Sequence, residues 1–446
     1  MATTPAEWLP VLAKRLDARQ ARIAKNRSYS NGGAPLPEMG KNTKATWKAF
    51  QKKARTNYGG LACESLGGRI VPNGVRVGTS TTSPAVLAAR RVWRDNRLDV
   101  VFGDAISTML TTSVAYLIVG VRDGSPIITA EIPEQVITAS DPTQPWRARA
   151  ALKAWRDPDT GLDHALVWTP GERQHFTRKS TSSTGTPIPQ VDGEWEPLGE
   201  PETYTGGVPV YVLENKDGVA EFEPHIDVID RINLGKLQRL VTTAMQAFKQ
   251  RALKGGLDAT DEDDNAIDWA KILEPAPGAL WDLPEGIDVW ESPATDIRPL
   301  LEGEKVDARD FAAVMRTPLD VFVPEGQNQS ATGAANAHKG EIQKAKDRIA
   351  RAGAPMEGSM LAALQILGLD DGETVQITFE TPEHVSLSEK ASAAAQAKAG
   401  GKSQRWIDEH IWGMSPDEID QEETDRSAEQ LLAATLIGAP SATGNA

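Results

Sequence analysis

The sequence predicts an α+β chain of several domains, and three observations carry that prediction. Helical and strand periodicities occupy separate stretches of chain instead of alternating, which points away from βαβ units. Two helical patterns flank a short acidic insert. An apolar content of 40% over 446 residues is enough to bury more than one core.

Thr4-Pro5-Ala6-Glu7 is a capping box with proline at the first helical position, so a helix is expected over 5–27. The loop from Asn31-Gly32-Gly33 to Pro37 leads to a second helix over 42–57. Ser83-Pro84 starts a third that runs through Asn96, and 99–112 forms a fourth. From Ser113 the pattern becomes β-like, with strands over 114–121, 127–132, 150–155, 165–169 and 210–213. Asp123-Gly124, Asp157-Pro158 and Thr160-Gly161 supply turns between them. The Ser/Thr/Pro-rich stretch 177–190 is expected to be a flexible break in this meandering sheet.

Ile226, Ile229, Ile232, Leu237, Leu240, Val241, Met245 and Phe248 then recur near a helical period until Gly255-Gly256. Such a helix would be a rod of about 40 Å. Between Gly255 and Ala270 every ionisable side chain is acidic: Asp258, Asp261, Glu262, Asp263, Asp264 and Asp268. Short apolar segments broken by Pro275, Pro277-Gly278, Pro284 and Gly286 follow over 272–290 and predict a small β-module. A second helix is expected over 295–315, ended by Pro318. Residues 325–336, EGQNQSATGAAN, carry no charge after Glu325 and predict a polar loop. A basic helix follows with Lys339, Lys344, Lys346, Arg348 and Arg351. Further along, 355–367 predicts a helix and 374–379 a strand able to rejoin the sheet. Ser386-Leu-Ser-Glu389 caps an Ala-rich helix that stops at Gly400-Gly401, and Ser415-Pro-Asp-Glu418 caps a last one reaching about Ile437. The tail 439–446 is expected to fray.

Helix, small β-module, helix, polar loop, helix resembles the portal proteins of tailed bacteriophages, particularly of siphophages infecting actinobacteria. The resemblance is carried by 35–39 (PLPEM), 47–57 (WKAFQKKARTN), 246–252 (QAFKQRA), 295–301 (TDIRPLL) and 310–318 (DFAAVMRTP), in order along nearly the whole chain. Local departures are Gly67-Gly68, where bulkier helical residues are expected, and the Ser/Thr-rich stretch 177–186.

The resemblance implies a multi-domain portal fold. Residues 1–225 and 346–385 would form the wing, of helices and β-meander. Residues 226–255 and 296–318 would be the paired stem helices, 256–295 the clip, 319–345 the tunnel loop with its helix, and 386–446 a helical crown. It implies a homo-oligomeric ring of about twelve subunits at one capsid vertex. Through that ring terminase would drive double-stranded DNA in, and through it the DNA would later leave. Terminase, the major capsid or scaffolding protein, and a head-completion adaptor are the implied partners. No cofactor, metal or catalytic residue is implied. Gln327, Asn328, Gln329, Ser330, Ala331, Thr332, Gly333 and Asn336 would line the channel, and Asp258 to Asp268 would form an acidic rim of the clip. Lys339, Lys344, Lys346 and Arg348 are open to three readings: phosphate contacts, pairing with acidic neighbours, or a solvated charged face.

Composition agrees with these expectations. A net charge of −14 argues against tight nonspecific DNA binding, which needs many Lys/Arg contacts to phosphate. It suits a channel that repels the phosphate backbone and lets DNA slide. Hydrophobic runs are short, so no membrane span is expected. The N-terminus lacks a signal pattern, so the host cytoplasm and the virion are the expected locations. The single Cys63 excludes an intramolecular disulfide framework and a thiolate zinc site; it is expected on a buried helical face.

Alternative chemistries fail on spacing. Asp261, Asp263 and Asn265 match the first ligands of a calcium loop, but Ala266 replaces the turn glycine and Ile272 the bidentate glutamate. Gly401-Lys402-Ser403 ends like a phosphate-binding loop, yet Gln396 stands where its first glycine belongs. The six histidines show no pair spacing that would mark a metal site or a triad. Twelve tryptophans, Trp269, Trp281 and Trp290 among them, are assigned to core or interface packing in preference to base stacking. The rivals are a metal-dependent nuclease built on Asp261 to Asp264 and a different structural component such as a head-completion or minor capsid protein. The first lacks supporting His or Lys, and the second lacks two long helices flanking a β-insert.

Overall fold

A computed structural model describes residues 2–37, 45–180, 187–188, 190–247, 251–254, 288–291, 293, 295–323, 331–383 and 385–437. These residues mix helices and sheets, as the α+β expectation has it, and divide into two compact units. One comprises 1–35, 56–229 and 308–446, the other 36–55 and 230–307.

The first unit begins with α1 (Pro5–Ser30), whose Thr4 and Glu7 make the expected capping box. Helix α1 buries Trp8, Leu9, Leu12 and Leu16 against one face of an antiparallel sheet. That sheet contains β4 (Val136–Ser140), β5 (Ala148–Arg156), β6 (Leu162–Thr169), β7 (Glu172–Lys179) and β8 (Glu196–Pro197), in that order, with β9 (Glu202–Thr203) also on β7. Leu152, Ala154, Ala165, Val167 and Phe176 are its core-facing contribution, at the two-residue period that strand geometry requires. A separate three-stranded sheet orders β10 (Val210–Glu214), β2 (Val114–Arg122) and β3 (Ser125–Glu131). Tyr116, Ile118 and Val210 from it pack on Ala151 and Trp168, which project from the other face of the larger sheet.

Several expectations are corrected. The helix expected over 42–57 is the shorter α2 (Ala45–Ala54) in the second unit, and a separate helix, α3 (Tyr58–Gly67), follows it in the first. The break falls at Thr56-Asn57, where Asn57 leaves helical geometry and its carbonyl accepts from Leu61 as the first bond of α3. Gly67-Gly68 ends α3. Strand β1 (Pro72–Val77) is unheralded in sequence. It takes β13 (Val375–Phe379) as its antiparallel partner, so β13 does not rejoin the larger sheets. The stretch expected to be flexible from 177 is strand β7 as far as Lys179, held by eight register pairs with β6; residues 181–186 and 189 lie outside the described residues.

Helices α4 (Pro84–Asp95) and α5 (Leu98–Thr112) match expectation, with Ser83 capping α4. Cys63 is buried in α3, its thiol aimed at the Leu110 carbonyl, and burial pushes its pKa up, so it is unreactive at neutral pH. Trp8 and Trp168 sit in the two cores as expected, whereas Trp290 is 45% exposed and Trp146 is 77% exposed. Trp269 and Trp281 lie outside the described residues.

Candidate functional site

Two helices and two strands form one antiparallel arm. Helix α6 (Ile226–Ala247) buries Ile226, Ile229, Ile232 and Leu237 along the expected stripe, and α7 (Arg298–Met315) buries Ala308, Phe311, Ala312 and Met315. In the second unit their contacts run in opposite directions. Arg231 pairs with Asp307 at 2.9 Å, Arg239 with Glu304 at 2.5 Å, and Gln246 donates to the Thr295 carbonyl. The same pairing continues past the helices: β11 (Arg251–Lys254) lies antiparallel to β12 (Asp288–Glu291). The helix expected over 226–255 therefore gives way to strand at its end. The register that wins there sets Arg251 opposite Glu291 and Lys254 opposite Asp288. Phe248 and the acidic residues Asp258, Asp261, Glu262, Asp263, Asp264 and Asp268 lie outside the described residues.

After α7, residues Leu319–Val321 make one 3-10 turn, and Phe322 closes an aromatic group with Tyr58 and Phe311, with ring centroids 5.1 to 6.1 Å apart. Gln327, Asn328, Gln329 and Ser330 lie outside the described residues. Ala331, Thr332, Gly333 and Asn336, expected in the loop, instead begin α8 (Ala331–Ile366). Three alanines within 331–335 favour helix, and Gly333 alone does not interrupt it. Helix α8 also absorbs the separate helix expected over 355–367. Pro355 removes one backbone donor. Ala352, Met356, Met360 and Ala363, spaced along one face and fully buried, hold the helix through that gap.

Two buried carboxylates fix α8. Glu341 is itself on α8 and takes Arg69 at 2.5 Å and the Ser65 hydroxyl at 2.5 Å, both from the α3 end; Arg69 also donates to His338 Nδ1 at 2.9 Å. Glu221, just before α6, receives Lys344 at 2.8 Å and Arg348 at 2.6 Å. Lys344 donates a further bond to the Met315 carbonyl at the end of α7, 2.9 Å away. Burial raises the Glu221 pKa, but Lys344 and Arg348 together outweigh it and hold the carboxyl below its usual range. So of the four basic residues, Lys344 and Arg348 anchor α8 from within the chain. Lys346 pairs with Glu383 at the surface and Lys339 is exposed. Glu221 and Glu341 escaped the sequence reading because neither has a local pattern; only the fold brings their partners to them.

The helical end of the chain comprises α9 (Leu387–Ala399), α10 (Gln404–Ile407), a π turn at Asp408–Trp412 and α11 (Pro416–Ile437). Arg90 pairs with Asp417 and Asp420, and Arg76 with Glu409, so this part is tied to α4 and β1 by charge. Gly401 has φ of 83°, a helix-stop conformation, which removes any phosphate-loop reading of 401–403. Among the described residues no group of three or more His, Cys, Asp or Glu could hold a metal ion, and no helix is long and apolar enough to cross a membrane.

The family model described as "Phage portal protein, SPP1 Gp6-like" matches residues 11–434. The chain belongs to that family. Two solved structures are similar over most of their length. "Neck of native GTA particle computed with C12 symmetry" shares 13% identity at a TM-score of 0.41, covering 86% of this chain and 98% of that one. "Virion of native gene transfer agent (GTA) particle" shares 13% at 0.43, covering 88% and 99%. No curated protein matches in sequence.

Proposed function

We propose that this portal protein forms a ring of about twelve copies at one capsid vertex. Double-stranded DNA passes through that ring during packaging and ejection, and head-completion proteins join on it. The family match over residues 11–434 carries this reading. In it the α6–α7 pair is the stem, residues 256–295 are the clip, 386–446 the crown, and 1–225 with 346–385 the wing. Terminase and a scaffolding or major capsid protein are the proposed partners during assembly, in the host cytoplasm. Energy and hydrolysis come from terminase, and the portal serves as the conduit.

In this proposal Gln327 to Asn336 serve as the tunnel segment, with Ala331, Thr332, Gly333 and Asn336 at the start of α8. Gln327, Asn328, Gln329 and Ser330 offer DNA weak, exchangeable hydrogen bonds and no charge to trap phosphate. Of the four basic residues Lys339 is the one left to face phosphate, Lys346 being paired with Glu383. Cysteines placed at Gln329 and Ser330 are expected to react with a small thiol reagent in empty particles and to be protected in DNA-filled heads. Cys63, being buried, gives no background. Ser330→Trp should obstruct packaging while rings still assemble. Equal reactivity in empty and full heads, with normal packaging by the tryptophan variant, would put the loop outside the channel.

Asp258 to Asp268 are proposed to border the channel mouth in the clip. Changing Asp261, Asp263 and Asp264 together to lysine multiplies new cations by the subunit number, so packaging in low salt should slow and recover as salt rises. An unaltered packaging rate at low salt would show that the charge of this segment plays no part in translocation.

A further inference from the structure

Cross-strand register brings together three side chains that are distant in sequence. Trp155 of β5 stands opposite His164 of β6, and His175 of β7 is the diagonal neighbour of His164, which pairs with Thr177. All three project from the face opposite Ala154, Ala165 and Phe176 of the core. Both imidazoles lie nearly parallel to the indole, His164 at 5.3 Å and 20°, His175 at 5.6 Å and 23°. Their edges meet, with His164 Nδ1 3.1 Å from His175 Nε2.

We propose that His164 Nδ1 and His175 Nε2 form a two-histidine site for a divalent transition-metal ion such as Zn2+, with water completing its coordination. Two imidazole nitrogens bound tetrahedrally to one zinc at about 2.0–2.1 Å lie roughly 3.4 Å apart. The observed separation is a few tenths of an ångström less, which a small rotation of either ring on the Trp155 shelf supplies. Without an ion, one ring donates its N–H to the other. When the ion enters, that ring moves its proton to its outer nitrogen, so both inner lone pairs face the metal and no proton is released.

The surroundings support this assignment. Asp157 lies within electrostatic reach of His164, which favours a cation between the rings. The charges nearby are already matched: Lys153, over Trp155, pairs with Glu131 at 2.6 Å, and Arg173 pairs with Glu202 at 2.6 Å. No third His, Cys, Asp or Glu joins the pair among the described residues, so imidazole alone sets the preference, for zinc, nickel or copper over magnesium or calcium.

The test uses the full chain titrated with ZnCl2 by calorimetry at pH 7.5, with MgCl2 as control. One saturable zinc site per chain is expected and none for magnesium. His164→Gln and His175→Gln should each weaken zinc binding at least about tenfold, and the double variant should weaken it at least as much as either. His410→Gln, on a separate stack with Trp406, should bind as the parent does. A second readout needs no substitution: zinc should protect His164 and His175, and not His410, from diethyl pyrocarbonate as mapped by mass spectrometry. Absence of saturable binding, unchanged affinity in the double variant, or equal modification with and without zinc would overturn the proposal.

Discussion

Glu221→Ala is expected to lower the unfolding free energy by about 3–5 kcal/mol, because it removes the buried counter-charge that Lys344 and Arg348 share and leaves Arg348 only the half-exposed Asp347. The Glu221 side chain is 2% exposed and Arg348 7%, so water cannot replace the lost partner. The effect has a pH signature. The folded-state pKa of Glu221 lies below the ordinary glutamate value of about 4.3. A depressed carboxylate contributes stability that is fully present above the ordinary value and is lost as pH falls through the folded value. The parent chain should therefore lose stability on acidification below about pH 4.3, and Glu221→Gln should flatten that acid branch while also being less stable at pH 7. Thermal unfolding of the three proteins between pH 3 and 7 measures both. An alanine variant as stable as the parent at pH 7 would show that Lys344 and Arg348 find other partners and that α8 is not held by this carboxylate.

Gly60→Ala is expected to be destabilising by about 1–3 kcal/mol, the range that overpacking produces. Two effects oppose each other. Alanine in place of a helical glycine gains up to about 1 kcal/mol from helix propensity. A Cβ at Gly60 would, however, collide with the Ser30 carbonyl at the end of α1 and lie 2.5 Å from Asn57 Oδ1. The Ser30 obstacle is backbone and cannot turn aside, so the clash wins. Gly103 in α5 is the control, since nothing lies within 4 Å of the added methyl; Gly103→Ala should be neutral or stabilising. Chemical unfolding of the pair reads the difference directly. If both alanines stabilise alike, α1 and α3 do not cross as closely as described.

What the sequence disclosed was largely local. Thr4 with Glu7, Ser386 with Glu389 and Ser415 with Glu418 marked helix starts that the structure keeps, because a capping box is complete within four residues. The stripes of α6 and α7 were equally legible, since their period is written in neighbouring residues. Missed features depend on distant partners. Strand β1 becomes a strand only by pairing with β13, some 300 residues later. The end of the first arm helix becomes a strand only because β12 returns beside it. Helix α8 was split at Pro355 because proline is a strong local stop signal, whereas the buried face that overrides it is tertiary. The same limit applied to the site. Lys339, Lys344, Lys346 and Arg348 were recognisable as a basic set. That Lys344 and Arg348 face inward follows from Glu221, a single glutamate more than a hundred residues earlier. His164 and His175, eleven positions apart, show no metal-ligand spacing in sequence, and only the β6–β7 register joins them.

Electron microscopy of the purified full chain tests the central claim most directly. Particles should appear in end view as closed rings of about twelve subunits around an open axial hole, and native mass should give the same multiple of the 48.1 kDa chain. A monomer or dimer at high protein concentration across low and moderate salt, with no ring in the micrographs, would contradict the account of this protein as a DNA channel.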